Sequence, residues 1–426
     1  MEKLSGRCLL AAIMVAMALL VFAPAAMAGE KAVADWPPVP CDPPAGLDKV
    51  DGRKIDSYRH GLRKEWNSPP KKSFPIHVVH PRNDREAAPL YVVLHSAGHN
   101  AESCIKAGYE RSPDGAYNNH GLYRAPDEFY GLYQQGDAWW GRDDRATAED
   151  GPVEKRVLDV VAWAIATYKI DPDRIYLSGI SMGGSGSLGI GMRHGEVFAS
   201  EMVWVPAGTD HVARRMFFGQ KTPAGLVLPD PPVMVNMSAQ NDGWSKGQDV
   251  LLKSVVEKKL AMVMGWGPFG HTGDTQAYLR NCGAIMAFPW LEIRKNEAYP
   301  VFIGATTDQK PPWLNPQGAD EKGQINAWFR WKTVQDEVSV FSMRLWLEEP
   351  PNVQSPYAMP KESTADVTFR RLQRFKVSAG KTCAWELVRE GKTIASGTVE
   401  PDDAGLLTVA KVTLSAAPVE VHLAWR

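Results

Sequence analysis

A serine flanked by glycines is the first candidate for chemistry in this sequence. In the segment 179–184, with the sequence GISMGG, Ser181 has one glycine two positions before it and another two positions after it. The apolar run 174–178 predicts a strand before this segment, and residues 182–192 predict a helix after it. Glycines at these positions allow the tight strand-to-helix turn that exposes a nucleophilic hydroxyl. The alternative is a glycine-rich turn that contains an unreactive serine.

His271 is the preferred base for removing the serine proton. A hydroxyl nucleophile needs an imidazole, and with a serine at a strand-to-helix turn the chain order is serine, acid, histidine. Of the four histidines after Ser181, His271 alone lies in a glycine-rich loop that follows a predicted strand, at 260–265. His194 lies on the predicted helix after the serine, and His422 lies in the last β-run. His211 leaves only Asp210 before it as an acid at the end of a strand.

Asp242 is the preferred acid. It follows the predicted strand 233–237, and a carboxylate there can orient the histidine ring and stabilise its protonated form. Asp210, which comes after the preceding strand, is the alternative, and Asn241 lies directly beside Asp242. The sequence therefore predicts a triad of serine, histidine and aspartate.

Two backbone N–H groups are predicted to bind the oxyanion of a tetrahedral intermediate. A helix that begins at Met182 leaves its first N–H groups without intrahelical partners, so the Met182 N–H is the first donor. The loop after the predicted strand 90–95 is placed to supply the second, with the Ala97 N–H preferred over that of Ser96. The alternative for this loop is a plain turn that begins a helix. His95, which precedes the nucleophile, is expected to be structural.

The elements that must position these residues alternate between strands and helices. Such alternation requires right-handed crossovers and predicts an α/β fold with a doubly wound, mostly parallel sheet. Residues 30–70, rich in Pro, Lys and Asp, are interpreted as a lead-in that wraps this domain without building it. Further elements are predicted as strands at 74–80, 90–95 and 199–205 and as helices at 152–168 and 247–258.

Three segments resemble the esterase family of α/β-hydrolases that includes feruloyl esterases, acetylxylan esterases and polyhydroxybutyrate depolymerases. They are 94–98 (LHSAG), 171–184 (DPDRIYLSGISMGG) and 269–271 (FGH), and the resemblance covers roughly 74–287. It implies an α/β-hydrolase fold and a serine esterase that uses neither a metal nor a cofactor. The family usually has glycine where this chain has Ser96, and this departure bears on the substrate more than on the reaction type.

The alternation ends after about Leu291, where β-like runs separated by turns follow one another without a convincing helix. We therefore expect an α/β-hydrolase catalytic domain at 29–295 and a β-sandwich-like domain at 296–426. Tryptophans are frequent in the second domain and form either its core or a sugar-binding face: they are Trp313, Trp328, Trp331, Trp346, Trp385 and Trp425.

Residues 1–28 have the pattern of a secretory signal peptide. Lys3 and Arg7 accompany an apolar run at 8–22, and small residues at 26–28 fit a signal-peptidase site. Cleavage after Ala28 predicts a secreted or periplasmic protein that is not held in a membrane. An uncleaved anchor is the alternative, although the run is shorter than the ~20 apolar residues that span a bilayer.

Charge and cysteine content narrow the range of partners. Lysine and arginine number 48 and aspartate and glutamate 49, so no net charge favours nucleic acid or an anionic membrane surface. After signal cleavage Cys41, Cys104, Cys282 and Cys383 remain, which permits either two disulfides or buried free thiols. Their spacing does not resemble a zinc site, and no metal is expected.

Aromatic residues indicate the surroundings of the substrate. Segment 109–150 is an unusual insertion that is rich in tyrosine and tryptophan. Trp139 and Trp140 in this segment, and Trp266 before the histidine loop, are predicted to contact the substrate, with ordinary packing as the alternative. The sequence thus predicts a secreted serine carboxylic ester hydrolase that acts on an acylated polysaccharide or oligosaccharide. A polyester depolymerase and a non-catalytic carbohydrate-binding protein on a hydrolase scaffold are the other hypotheses.

Overall fold

One large sheet organises the amino-terminal two thirds of the chain. The computed structural model describes residues 36–61, 63–66, 73–83, 85–111, 120–140, 147–314, 316–318 and 320–425, so the predicted signal peptide lies outside the described residues. Within these ranges the sheet has eleven strands. They are β1 (Val39–Pro40), β2 (Lys49–Val50), β3 (Arg53–His60), β4 (Phe74–Val79), β5 (Leu90–Leu94), β6 (Tyr130–Gln134), β7 (Ile175–Ile180), β8 (Ser200–Trp204), β9 (Val233–Ala239), β10 (Met262–Gly267) and β12 (Gly323–Ile325).

The strand order gives the sheet a parallel core. The order is β1-β3-β4-β6-β5-β7-β8-β9-β10-β12, with β2 paired to β3. Strands β6 to β10 in this order run parallel, and antiparallel strands flank them on both sides. Every residue of these six parallel strands is buried, as expected when helices cover both faces. The predicted α/β fold with a mostly parallel sheet is confirmed.

Helices cover the two faces because strand residues alternate between them. In β5, Val93 packs in one cluster with buried residues of α1 (Ala101–Tyr109) and α6 (Thr275–Met286). Val92 packs in another cluster with buried residues of α2 (Pro152–Tyr168). The remaining helices are α3 (Met182–Gly191), α4 (Asp210–Arg215) and α5 (Gln248–Glu257).

Two antiparallel sheets form the carboxyl-terminal part. In β14, Phe341, Met343 and Leu345 are buried at alternate positions, the pattern of a strand with one face toward a core. The smaller sheet has β11 (Tyr299–Ile303), β15 (Glu362–Arg370) and β18 (Thr408–Ser415) in that order. The larger has β13 (Phe329–Asp336), β14 (Val340–Leu347), β19 (Val419–Trp425), β16 (Cys383–Arg389) and β17 (Lys392–Val399) in that order.

Strand β12 and the buried side chain of Arg371 connect the two parts of the chain. Strand β12 lies in the carboxyl-terminal segment, yet it pairs antiparallel with β10 of the large sheet. Arg371, which follows β15, is buried and donates hydrogen bonds to the carbonyl oxygens of Ala199 (3.0 Å), Phe198 (3.3 Å) and Pro231 (3.4 Å). Its guanidinium also lies 4.9 Å from the centre of the Tyr299 ring. These contacts join the β-rich part to the ends of β8 and β9.

Several strands were not expected from the sequence, among them β3, β6 and β17. The interpretation of 30–70 as a lead-in that does not build the domain is wrong, because β3 spans eight residues and pairs with β4 in the large sheet. Its buried positions alternate with charged ones, as in a half-buried antiparallel strand. Strand β6 was hidden in the aromatic insertion, since it is short and contains Gly131. Strand β17 is almost entirely exposed and polar, so it has no apolar pattern to detect.

The four cysteines of the described chain are free thiols. Cys104, Cys282 and Cys383 are buried, and Cys41 is half-buried. Of the two alternatives that the sequence left open, the structure therefore has free thiols. None of the helices in the described ranges combines the length and apolar character that crossing a bilayer demands.

We predict that replacing Arg371 weakens the whole fold. Arg371→Met leaves three carbonyl oxygens without their charged donor, which should lower the free energy of unfolding by about 2–4 kcal/mol. Arg374→Met is the control, because Arg374 is exposed and pairs with Glu337 at the surface. It should cost less than about 1 kcal/mol. Urea unfolding of both variants measures the difference, and equal losses would contradict the structural role of Arg371.

Candidate active site

Ser181 sits in a strained turn between β7 and α3. Its backbone has φ 57° and ψ −118°, values that a non-glycine residue rarely adopts. Hydrogen bonds on both sides hold this conformation: the Ser181 N–H donates to Trp204 O at 3.0 Å, and Ser181 O accepts from the N–H groups of Ser185 and Ala207, both at 3.0 Å. The turn therefore projects the hydroxyl away from the sheet.

The glycines around Ser181 are required by close packing. A Cβ atom on Gly179 would lie 2.3 Å from the backbone of Gly183. A Cβ atom on Gly183 would lie 1.9 Å from Leu94 O and 2.9 Å from His95 O. The turn thus packs directly against the loop that follows β5, with no room for a side chain between them.

The structure brings the three residues of the predicted triad into one hydrogen-bonded chain. Ser181 Oγ lies 2.7 Å from His271 Nε2, and His271 Nδ1 lies 2.7 Å from Asp242 Oδ2. The Asp242 carboxylate is buried, and its other oxygen accepts the Trp244 N–H at 2.8 Å. Because an ionised carboxylate only accepts, the network assigns the imidazole proton to Nδ1 and leaves Nε2 to accept the serine proton.

Asp242 follows β9 and His271 follows β10, so both come from loops at the carboxyl ends of parallel strands, next to the serine turn after β7. The strand order, the turn and this chain order occur together. The fold is that of an α/β-hydrolase.

The other acid candidates have different partners. The Asp210 side chain packs against Gly247, where an added Cβ would lie 2.5 Å from Asp210 Oδ1. Asn241 joins the acid loop to the histidine loop, since its Oδ1 accepts the Gly270 N–H at 2.8 Å and its Nδ2 donates to Pro268 O at 3.3 Å. Asn241 thus holds the two loops together and is not the partner of His271.

The two predicted oxyanion donors belong to the two segments that the Gly183 contact joins, the serine turn and the loop after β5. Met182 begins α3, so its N–H precedes the first intrahelical hydrogen bond. The Ala97 N–H has no hydrogen-bond acceptor among the described residues, and Ala97 is exposed. The second choice, the Ser96 N–H, donates to the Tyr123 hydroxyl at 3.0 Å and is therefore already used. This geometry favours Ala97 over Ser96.

Two of the three predicted substrate contacts need correction. Trp139 is 1% exposed, and its N–H donates to His95 O at 2.7 Å. Trp266 is fully buried, and its N–H donates to Asp320 O at 3.0 Å. Both indoles fill the interior with their N–H groups satisfied, so neither offers a face to a ligand. Trp140 is half-buried and stacks on His211 with ring centres 4.2 Å apart, so it stays a prediction.

Trp244 lies beside the candidate base, although it is not among the three predicted substrate contacts. Its side chain is 65% exposed, and its ring centre lies 6.3 Å from that of His271. A large exposed indole beside a candidate catalytic base can offer its face to a bound ligand. Its position two residues after Asp242 was the available signal.

A second group of titratable residues lies away from the serine. Ligand atoms of Asp150, Glu154 and His194 lie within 4.8 Å of one another, close enough to hold a metal ion. Burial alone would lower the pKa of His194, but hydrogen bonds to carboxylates, including those of Asp150 and Glu154, raise it to about 11. Arg193 and Arg215 also pair with Glu154. These contacts make the group a buried ion-pair cluster.

Arg193 and His194 of this cluster follow the carboxyl end of α3, whereas Ser181 directly precedes the amino end of the same helix. A ten-residue helix is about 15 Å long, so the two groups are well separated. The cluster fastens the far end of α3 to the start of α2, where Glu154 lies.

Comparisons with known proteins return esterases at low similarity. No protein-family model and no curated protein sequence matches this chain. Similar solved structures include a carboxylesterase from Bacillus cereus (14% identity, 51% of this chain and 92% of that chain, TM-score 0.35). A ferulic acid esterase (13%, 51% and 91%, TM-score 0.37) and an acetyl xylan esterase from Aspergillus awamori (14%, 51% and 94%, TM-score 0.35) are similar to the same degree. Similarity at this level assigns no activity, and the fold assignment rests on the strand order and the serine turn.

We predict that a methyl group at Gly183 is not tolerated. In Gly183→Ala the new Cβ meets a backbone carbonyl that cannot rotate away, so the free energy of unfolding should fall by about 3 kcal/mol. Gly243→Ala is the matched control, because a Cβ there has no heavy atom within 4 Å. Its effect should stay within about 1 kcal/mol. Urea unfolding compares the two, and equal stability of both variants would show that the turn does not need this close approach.

Proposed function

We propose that this protein is a serine carboxylic ester hydrolase. The observation that carries the proposal is the unbroken hydrogen-bonded chain from Ser181 through His271 to Asp242, at the carboxyl edge of an α/β-hydrolase sheet. The proposal is supported by the serine hydroxyl on Nε2 and the buried carboxylate on Nδ1 of the same imidazole. A carbohydrate-binding protein without catalysis has no need of this arrangement.

The mechanism follows from the proton positions. Ser181 Oγ attacks the ester carbonyl carbon as His271 Nε2 takes the hydroxyl proton, and Asp242 stabilises the resulting imidazolium. The Met182 and Ala97 N–H groups bind the oxyanion that forms. His271 then gives its proton to the leaving alkoxide, which departs as the alcohol and leaves an acyl-serine. Water, deprotonated by His271, attacks this ester, and the carboxylic acid leaves as the proton returns to Ser181.

We further propose that the substrate is an acylated polysaccharide or oligosaccharide outside the cytoplasm. The exposed Trp244 ring beside His271 offers a flat apolar surface on which a sugar ring can stack, and Trp140 is the second candidate contact. Export is supported by the signal-like pattern of residues 1–28. The same aromatic surface would suit a polyester chain, so a polyester depolymerase is the second candidate.

The first test is turnover of p-nitrophenyl acetate. Ser181→Ala should lower kcat by at least ~10⁴-fold, because the nucleophile is lost while the binding surfaces stay. Ser187→Ala is the control: Ser187 lies on α3, the helix that follows Ser181, is buried, and its Oγ has no hydrogen-bond partner among the described residues. It should keep turnover within twofold of wild type, by the small energy that an unpaired hydroxyl contributes.

Equal turnover by wild type and Ser181→Ala would exclude the serine mechanism. A screen of acetylated, feruloylated and methyl-esterified glycans against a polyhydroxyalkanoate then decides between the two substrate classes. Ser181-dependent release of acid from the polyester alone would reject the glycan proposal.

The second test concerns Trp244 and the choice of substrate. Trp244→Ala should lower the ratio of kcat/KM for the best glycan ester to kcat/KM for p-nitrophenyl acetate about tenfold, since a lost ring contact costs about 1.4 kcal/mol. Trp244→Phe keeps an aromatic face and should lose much less. Both variants keep the backbone N–H that supports Asp242. An unchanged ratio in Trp244→Ala would contradict a substrate-binding role.

A further inference from the structure

The peptide bond between Ser96 and Ala97 is held by its carbonyl side. Ser96 O accepts hydrogen bonds from the His99 N–H at 3.1 Å and from His95 Nδ1 at 2.9 Å. The C=O and N–H groups of a trans peptide point in opposite directions. Anchoring Ser96 O therefore fixes the direction of the Ala97 N–H, which points away from these two donors.

His95 can act as this donor only in one tautomer, and the structure specifies it. The Gly136 N–H donates to His95 Nε2 at 3.1 Å, so Nε2 carries no proton and Nδ1 carries the one that reaches Ser96 O. Burial lowers the pKa of His95 below its ordinary value, which favours this neutral form. Trp139 holds the backbone of the same residue through its bond to His95 O.

Tyr123 holds Ser96 from the other side. Its hydroxyl accepts the Ser96 N–H at 3.0 Å and donates to Ser96 Oγ at 2.9 Å. Tyr123 is fully buried, so this pair of hydrogen bonds is shielded from water. Together with the contacts to Ser96 O, every polar atom of Ser96 has a partner.

The turn that carries Tyr123 is itself anchored to the sheet. It is a 3₁₀ turn at Gly121–Tyr123. The Tyr91 hydroxyl donates to Leu122 O at 2.6 Å, and the Tyr133 hydroxyl donates to Tyr123 O at 2.5 Å. Because Tyr91 lies on β5 and Tyr133 on β6, the position of the Tyr123 ring is set by the parallel core.

The same turn also contacts the loop that carries the catalytic histidine. The His120 N–H donates to Gly273 O at 2.7 Å, and the Gly121 N–H donates to Thr275 Oγ1 at 3.1 Å. One short turn from the aromatic insertion therefore bridges the loop of the oxyanion donor and the loop of the base.

We propose that Tyr123 is a positioning residue for the oxyanion hole: by holding the N–H and the hydroxyl of Ser96, it aims the Ala97 N–H at the carbonyl oxygen under attack. This inference rests on the proposed ester hydrolase function. It gives the aromatic insertion a role in the transition state, whereas the sequence suggested only a lining for substrate.

Tyr123→Phe tests this role, because it keeps the ring and removes both hydrogen bonds to Ser96. We expect kcat for p-nitrophenyl acetate to fall about 10- to 100-fold, less than the 10²- to 10³-fold loss from deleting an oxyanion donor. KM should stay within twofold, since the misaimed N–H matters mainly in the transition state. The inhibition constant of a boronic acid that forms a tetrahedral adduct with Ser181 should rise in parallel with the fall in kcat/KM.

Tyr299→Phe is the matched control. Tyr299 is equally buried and its hydroxyl donates to Pro231 O at 2.5 Å, but it lies on β11, in the small antiparallel sheet. Its kcat should equal that of wild type within twofold. All rates are divided by the concentration of sites that a fluorophosphonate labels at the end point, so that a loss of folded protein does not imitate a loss of kcat.

The outcomes separate this inference from the proposed function. If wild type shows no Ser181-dependent turnover, the esterase function is wrong. If wild type is active and Tyr123→Phe keeps its kcat within twofold, or loses activity through KM alone, the positioning role is wrong. Should Tyr123→Phe not fold, Ser96→Ala decides, because it removes only the Oγ acceptor of the Tyr123 hydroxyl. We expect kcat to fall less than the 10- to 100-fold expected for Tyr123→Phe, at constant KM, and an unchanged kcat would contradict the positioning role.

Discussion

The contact between Gly183 and the carbonyl of Leu94 is the constraint on which the site depends. No side chain fits between the serine turn and the loop after β5. This closeness brings the first N–H of α3 and the N–H of Ala97 to the same side of the sheet. The strained backbone of Ser181 persists because hydrogen bonds on both sides of this residue hold its conformation.

The triad could be predicted because its geometry follows from strand ends. In a parallel sheet, loops after β7, β9 and β10 meet at one edge, so Ser181, Asp242 and His271 are neighbours in space although ninety residues separate the first from the last. A local pattern of apolar runs followed by glycine-rich loops was sufficient to find them. The choice of Ala97 over Ser96 was a preference in the sequence, and it acquired a physical reason only when Tyr123 was located beside Ser96.

The aromatic residues could not be assigned in this way. Whether an indole faces solvent depends on distant chain segments: Trp266 is covered because Asp320 and β12 return to the edge of β10, and the sequence near Trp266 contains no trace of that pairing. Trp139 is buried for a similar reason, under α3, where Gly186 makes room for it. Strand β6 was missed because five residues with a glycine at the second position are too short for a periodicity to emerge.

Strand β12 makes the large sheet depend on the carboxyl-terminal part of the chain. It closes one edge of the large sheet with three residues supplied from the carboxyl-terminal part. Without it, β10 would present a row of unpaired N–H and C=O groups, which is the template for association between sheets of separate molecules. The β-rich part therefore cannot be removed without exposing this edge of the large sheet. A chain that lost it would carry an aggregation-prone strand edge beside the candidate active site.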